Sequence, residues 1–336
     1  MRTVFLGTSE FAATVLERLA AGDHRPALVL RRPDRPRGRG RRVAAPPVAE
    51  RALALGLALA QPESVNEPPA RALIAETQPQ AVVVCAFGAL IKEPLLSEHE
   101  LLNVHPSLLP RWRGAAPIER AIIAGDERTG VSIMRLTAGL DSGQVCLTAG
   151  EPITPEDTYG SLATRLAKIG GELLVRTLDL TAAGAPPAFA EQDETGVTYA
   201  EKIGPEDRLL DPARPASELE RVVRALHPHI GARVALADGT LLGVHRARIA
   251  EISPSGGDPA DGVIADRHQP EAGPTAETGL TAEIGLTAEV GLTAQSGRLL
   301  LGCRTGVLEL LEVQPPGGRA MDASAYLRGR GLPVRR

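Results

Sequence analysis

Aromatic residues are scarce in this chain: four Phe, three Tyr and one Trp make up 2% of its 336 residues. Packing must therefore come from Leu, Val, Ile and Ala, within an apolar fraction of 43% that is ordinary for a globular protein. Cysteine is scarce too. Cys85, Cys146 and Cys303 lie far apart with no Cys-x-x-Cys pair, which argues against a zinc site or a disulfide framework and for a reducing cytosol. No apolar run is long enough to span a bilayer. The apolar N-terminal stretch is interrupted by Glu10 and Glu17, so no secretory signal is read there, and a cytoplasmic chain is expected. His227-Pro228-His229 pairs two imidazoles with no third ligand near in sequence; it reads as loop or surface, and no metal is expected. A formal charge of −4 gives no general attraction to polyanions, so contact with a nucleic acid would need a local basic patch.

What is present is an alternation of strands and helices. Apolar runs at 3–6, 27–30, 81–85 and 101–105 read as buried strands, with helical periodicity near 10–21, 46–56 and 68–76 between them. This order predicts a parallel, Rossmann-like sheet covered on both faces. The first strand–helix turn, Gly7-Thr8-Ser9-Glu10, lacks Gly-x-Gly-x-x-Gly, so a dinucleotide is not inferred. A hairpin is expected from 131–136 and 144–149, and a long helix over 158–181. A first unit is thus placed at 1–182 and a linker at 183–204. Short strands beyond a helix at 216–226 predict a small barrel in 205–336, including one strand at 262–265. There the hexad beginning Thr275-Ala276-Glu277 recurs at Thr281 and Thr287 and is truncated at Thr293. Too few copies are present for a β-helix, so a low-complexity insertion is expected at about 269–296.

Chemistry concentrates at the end of the fourth strand. Alternation puts Asn103 and His105 on one side of it, aimed at a common point beyond the sheet edge. Downstream, Gly139-Leu140-Asp141-Ser142-Gly143 offers a carboxylate on a glycine-flanked loop. Amide, imidazole and carboxylate together can stabilise an oxyanion and move a proton. Ser107 lacks a Gly-x-Ser-x-Gly elbow and is not read as a nucleophile. A second feature is the dense basic run Arg31, Arg32, Arg35, Arg37, Arg39, Arg41 and Arg42, broken only by Asp34 among charged residues. It reads either as a solvated loop or as a phosphate-binding arm.

The run Asn103-Val104-His105-Pro106-Ser107-Leu108-Leu109-Pro110-Arg111-Trp112-Arg113-Gly114-Ala115-Ala116-Pro117-Ile118 resembles the signature of the folate-dependent formyltransferases. Further matches are Gly7-Thr8-Ser9-Glu10-Phe11-Ala12, Arg32-Pro33-Asp34-Arg35-Pro36, Thr198-Tyr199-Ala200-Glu201-Lys202-Ile203, and Gln314-Pro315 with Met321. The resemblance implies an α/β fold: a Rossmann-like N-terminal formyltransferase domain and a smaller C-terminal OB-like β-barrel domain that contacts tRNA. It implies formyl transfer from 10-formyltetrahydrofolate to the amine of initiator methionyl-tRNA, without a metal, by a monomer. It implies catalytic roles for Asn103, His105 and Asp141. Folate contacts are expected from the turn Ser107, Leu108, Leu109 and Pro110 and from Phe87, Gly88 and Leu90. Arg37, Arg39, Arg41 and Arg42 are expected to reach the acceptor end of the tRNA. Two rivals stay open: a formyltransferase acting on an amino sugar nucleotide, and a folate- or RNA-binding module with a relic site.

Overall fold

A computed structural model of the chain describes residues 1–33, 36–37, 42–43, 45–250 and 291–330. The expected strand at 262–265 and the hexads up to residue 290 lie outside the described residues, as do Arg39 and Arg41.

The N-terminal part is a seven-stranded sheet. From one edge to the other its strands are Val145–Pro152, Arg128–Arg135, Leu101–His105, Ala81–Cys85, Thr3–Gly7, Pro26–Leu30 and Leu59–Ala60. The last five run parallel, whereas Arg128–Arg135 pairs antiparallel with Leu101–His105, and Val145–Pro152 antiparallel with that strand. The expected hairpin therefore joins the same sheet and makes it mixed. Side chains alternate between two apolar layers, with Phe5 and Val83 on one face and Val4, Leu6, Val82 and Val84 on the other.

Helix boundaries follow local chemistry. Ser9 accepts from the Ala12 amide to start Glu10–Ala20, and Thr158 and Ser161 exchange a capping box at the start of the long helix Tyr159–Ala182. Leu162, Leu166 and Leu174 of that helix pack under the sheet. Gly170 lets it approach closely, since a Cβ there would lie 2.8 Å from Val104 Cγ1. Val104 sits between Asn103 and His105, so this packing fixes the height of the strand that carries both.

The C-terminal part folds a six-stranded antiparallel sheet against the helix Ala216–Leu226. Its main path runs Ala232–Ala235, Leu241–Ile249, Val307–Gln314, Arg298–Gly302 and Gly291–Gln295, and Met321–Asp322 pairs beside Val307–Gln314. The sheet curls round a core of Leu219, Val223, Leu242, Val244, Leu299 and Leu310. Residues 291–295 correct the expected extent of the insertion. They form a strand paired with Arg298–Gly302 across a turn at Ser296-Gly297, both with positive φ. Repeat composition hid this strand, because it carries no apolar alternation: Gly291 and Leu292 are half-buried and residues 293–295 exposed.

Polar contacts join the two parts. Arg120 of the helix Pro117–Ala124 makes a two-pronged pair with Asp207, and Arg221 Nε donates to the Ile123 carbonyl. His229, expected in a loop or at the surface, lies exposed in a turn, where it bonds Glu119 at 2.9 Å and stacks on Tyr159 with ring centres 3.6 Å apart. No helix among the described residues is long and apolar enough to cross a membrane.

Candidate active site

Asn103 and His105 close the strand Leu101–His105 at the carboxyl edge of the sheet, both buried and both facing Asp141. Asn103 Nδ2 donates to Asp141 Oδ1 at 3.3 Å. His105 Nδ1 lies 3.6 Å from Asp141 Oδ2, and its Nε2 donates to the Trp112 carbonyl at 2.9 Å. A carbonyl can only accept, so Nε2 carries a hydrogen, and the second nitrogen can also donate only in the imidazolium form. The Asn103 amide has two hydrogens, one of them directed at Asp141. Asp141 itself adopts a left-handed backbone (φ 46°), which turns its carboxylate back over the strand end. There Oδ2 also accepts the Gly114 amide at 2.9 Å.

The turn after His105 is held by contacts that sequence reasoning missed. Ser132, opposite His105 on the neighbouring strand, donates to the Ser107 carbonyl at 2.7 Å and accepts the Leu109 amide at 3.2 Å. Ser107 in turn donates to the Arg111 carbonyl. Asp126 binds the Arg111 guanidinium through two bonds and also the Trp112 indole N–H, fixing Trp112 at a φ of 66° so that its carbonyl meets His105. From the far side, Thr198 Oγ1 accepts the Trp112 amide, and Tyr199–Ala200 pairs in parallel with Arg113–Gly114. Gln192 Nε2 donates to the carbonyls of Asp141 and Gly143 at 2.8 and 2.7 Å. The stretch 183–204 is thus a strap over the site as well as a connection. Thr198 belongs to a motif noted from the sequence, but separations of 86 and 51 residues leave no local signal that it or Gln192 touches the catalytic loops.

The family model described as "Formyl transferase" matches residues 1–178, and that described as "Formyl transferase, C-terminal domain" matches 202–331. The methionyl-tRNA formyltransferase of Halorhodospira halophila is 40% identical over 333 residues, covering 98% of this chain and 97% of that one. The methionyl-tRNA formyltransferase of Methylococcus capsulatus is 39% identical over 338 residues, covering 100% and 99%. The chain belongs to the methionyl-tRNA formyltransferase family. At the level of fold, it also resembles HypX from Aquifex aeolicus, solved in complex with tetrahydrofolic acid. That likeness has a TM-score of 0.61 at 15% identity, covering 97% of this chain and 47% of HypX.

In this formyltransferase the segments expected to meet folate border the same edge. Phe87 and Ile91 are buried in the core, leaving Gly88 and Leu90 exposed on the loop after the strand Ala81–Cys85. Arg32 donates to the Gly88 carbonyl at 2.7 Å, and Asn66 to the Leu90 carbonyl, so the loop's backbone is pinned while Leu90 stays 66% exposed. Ser107 is buried, with Leu108, Leu109 and Pro110 half-buried above it. In the arm, Pro36–Arg37 and Arg42–Val43 pair as two short antiparallel strands. Among the described residues no group of His, Cys, Asp and Glu could hold a metal ion.

Proposed function

We propose that the protein transfers the formyl group of 10-formyltetrahydrofolate to the α-amino group of initiator methionyl-tRNA, giving N-formylmethionyl-tRNA for translation initiation. The observation that carries this reading is 40% identity to a methionyl-tRNA formyltransferase along nearly the whole of both chains. The geometry gives it a mechanism. The methionine amine attacks the formyl carbon, a C–N bond forms, and the carbonyl oxygen becomes an oxyanion. Collapse breaks the bond to the folate nitrogen, which takes a proton as the amine loses one.

Asn103 offers its second amide hydrogen to that oxygen. His105, as imidazolium between the Trp112 carbonyl and Asp141, supplies positive charge and, after a small rotation of its ring, a second donor. A preorganised donor aimed at a developing oxyanion contributes about 3 kcal/mol. Asp141 holds the charged His105 and takes part in moving the proton from amine to leaving nitrogen. Gly88, Leu90 and the turn Ser107–Pro110, with the buried Phe87 behind them, form the folate side. Arg37, Arg39, Arg41 and Arg42, in the stretch of sequence after the strand Pro26–Leu30, supply the contacts to tRNA. The protein acts as a monomer in the cytoplasm, a reducing compartment that its three free cysteines suit.

The test is direct: purified protein is supplied with labelled 10-formyltetrahydrofolate and charged initiator tRNA. Label on the methionine amine is the expected result. Label on an amino sugar nucleotide but not on tRNA would install the rival transferase reading, and binding of folate without transfer would install the relic site.

A further inference from the structure

Three contacts on one side chain carry an inference that rests on the transfer reading and deepens it. Gln192 donates both hydrogens of its amide nitrogen, one to the Asp141 carbonyl and one to the Gly143 carbonyl. Its Oε1 accepts the Arg113 Nε–H at 2.9 Å. Arg113 is buried and anchored again by Glu194, and the amide of the next residue, Gly114, binds the Asp141 carboxylate. One carboxamide therefore ties the loop that carries Asp141 to the loop that carries the Trp112 carbonyl, and His105 lies between them. The chain around Gln192 is itself fastened to both loops. Ala190 exchanges two backbone bonds with Val145, and Ala200 accepts the amides of Ala115 and Ala116.

We infer that Gln192 is a positioning residue for formyl transfer, setting the Asp141 carboxylate against His105 and Asn103. The chemistry of the site selects this residue type. The position needs two donors for two carbonyls and an acceptor for a guanidinium N–H, and among side chains of this length only glutamine supplies all three. The Asp141 backbone is left-handed, a conformation that persists in a non-glycine residue only when its surroundings enforce it. The two bonds from Gln192 fall on the carbonyl of that residue and on the carbonyl two residues later.

The test compares wild type with Gln192→Glu and Gln192→Met. Glutamate keeps the length and the acceptor for Arg113 but turns lone pairs toward the two carbonyls; methionine keeps the bulk without charge or donors. Both variants should lower kcat by about tenfold or more while KM for formylfolate and for charged tRNA stays within about threefold. In both, the Gly114 amide should exchange with solvent faster. Should one variant fail to fold, the other decides. A kcat within about twofold of wild type with a lowered melting temperature would make Gln192 a structural residue only and overturn the inference. A raised KM at unchanged kcat would overturn it in favour of substrate binding. Wild-type protein that formylates no charged tRNA would defeat the transfer reading itself, an outcome distinct from active wild type with equally active variants.

Discussion

His105 stands where a strand stops, with a carbonyl on one nitrogen and a carboxylate near the other. Its side chain contributes little to the apolar core, so His105→Ala should keep the fold and the melting temperature. Transfer should fall by roughly 10²–10⁴, the scale of a positioned acid–base group. Single-turnover rates with folate binding measured in parallel check this; near-normal turnover would remove His105 from the chemistry. That Asn103, His105 and Asp141 would meet at one strand end was legible in the sequence, because alternation and glycine flanks are local patterns. The residues that aim them were not. Ser132, Gln192 and Thr198 act on the loops from 23 to 86 residues away, through a few hydrogen bonds each that leave no periodic trace. Gly114 is an intermediate case. Its φ of 122° and the 2.8 Å approach of the Ala200 carbonyl to any Cβ explain a glycine visible in the motif, but only after the strap is seen.

Most strands of the N-terminal part were legible, Ala81–Cys85 as an unbroken apolar run and Leu101–His105 by alternation, whereas the two-residue edge strand Leu59–Ala60 was too short to show. The strand Gly291–Gln295 was not legible either, and it supports a prediction about the repeats. Deleting 275–286 removes two whole hexads and spares this strand. Extending the deletion to 296 removes all five of its pairings with Arg298–Gly302. The longer deletion should melt several degrees below the shorter one, as scanning calorimetry would register; equal melting temperatures would show that the hairpin contributes nothing.

The next strand carries a pH-sensitive contact. Glu309 is buried and bonded by Arg298 and Arg248, and the guanidinium of Arg298 above all brings its carboxyl down from 4.5 to about 2. Its folded value lies below the unfolded one, so the stabilisation is complete above about pH 4.5 and is lost as pH falls toward 2. The contribution is at most about 3 kcal/mol, reduced by the half-exposed guanidinium groups. Glu309→Gln should lower stability at neutral pH and flatten the acid decline measured by urea titration between pH 5 and roughly pH 3. An acid decline as steep as wild type would assign it to other carboxylates.

At the scale of the whole molecule, the two parts meet through apolar packing, with Ala225 in the N-terminal core and Ile123 against the C-terminal one, and through polar bonds in which Arg120 bridges Asp207 and the Glu201 carbonyl. Losing these bonds costs about 1–3 kcal/mol of docking. Arg120→Ala should therefore raise KM for charged tRNA several-fold while KM for formylfolate stays unchanged; parallel increases in both would mean that the damage reaches the catalytic sheet. The arginine arm is the other route to tRNA that we propose. Replacing Arg37, Arg39, Arg41 and Arg42 with Ala should weaken use of charged tRNA severely and leave folate binding intact. Binding measured against salt should become shallower by roughly one log unit for each phosphate that the arm no longer neutralises. Normal tRNA use with an unchanged salt slope would reduce the arm to a solvated loop. Net charge gave no hint of this partner, because −4 averages an acidic surface with one concentrated basic stretch.

The strap over the site also sets an order in time. Synthesis delivers Asn103, His105 and Asp141, together with every strand of the catalytic sheet, well before Gln192 and Thr198 exist. Domains tend to fold from the N-terminus as the chain emerges, at about 5–20 residues per second. A nascent chain that has reached the end of the helix Tyr159–Ala182 thus holds the proposed catalytic side chains before the strap's hydrogen bonds can form. On the proposed role of Gln192, the connecting peptide completes the site in the same stretch of translation that attaches the C-terminal part.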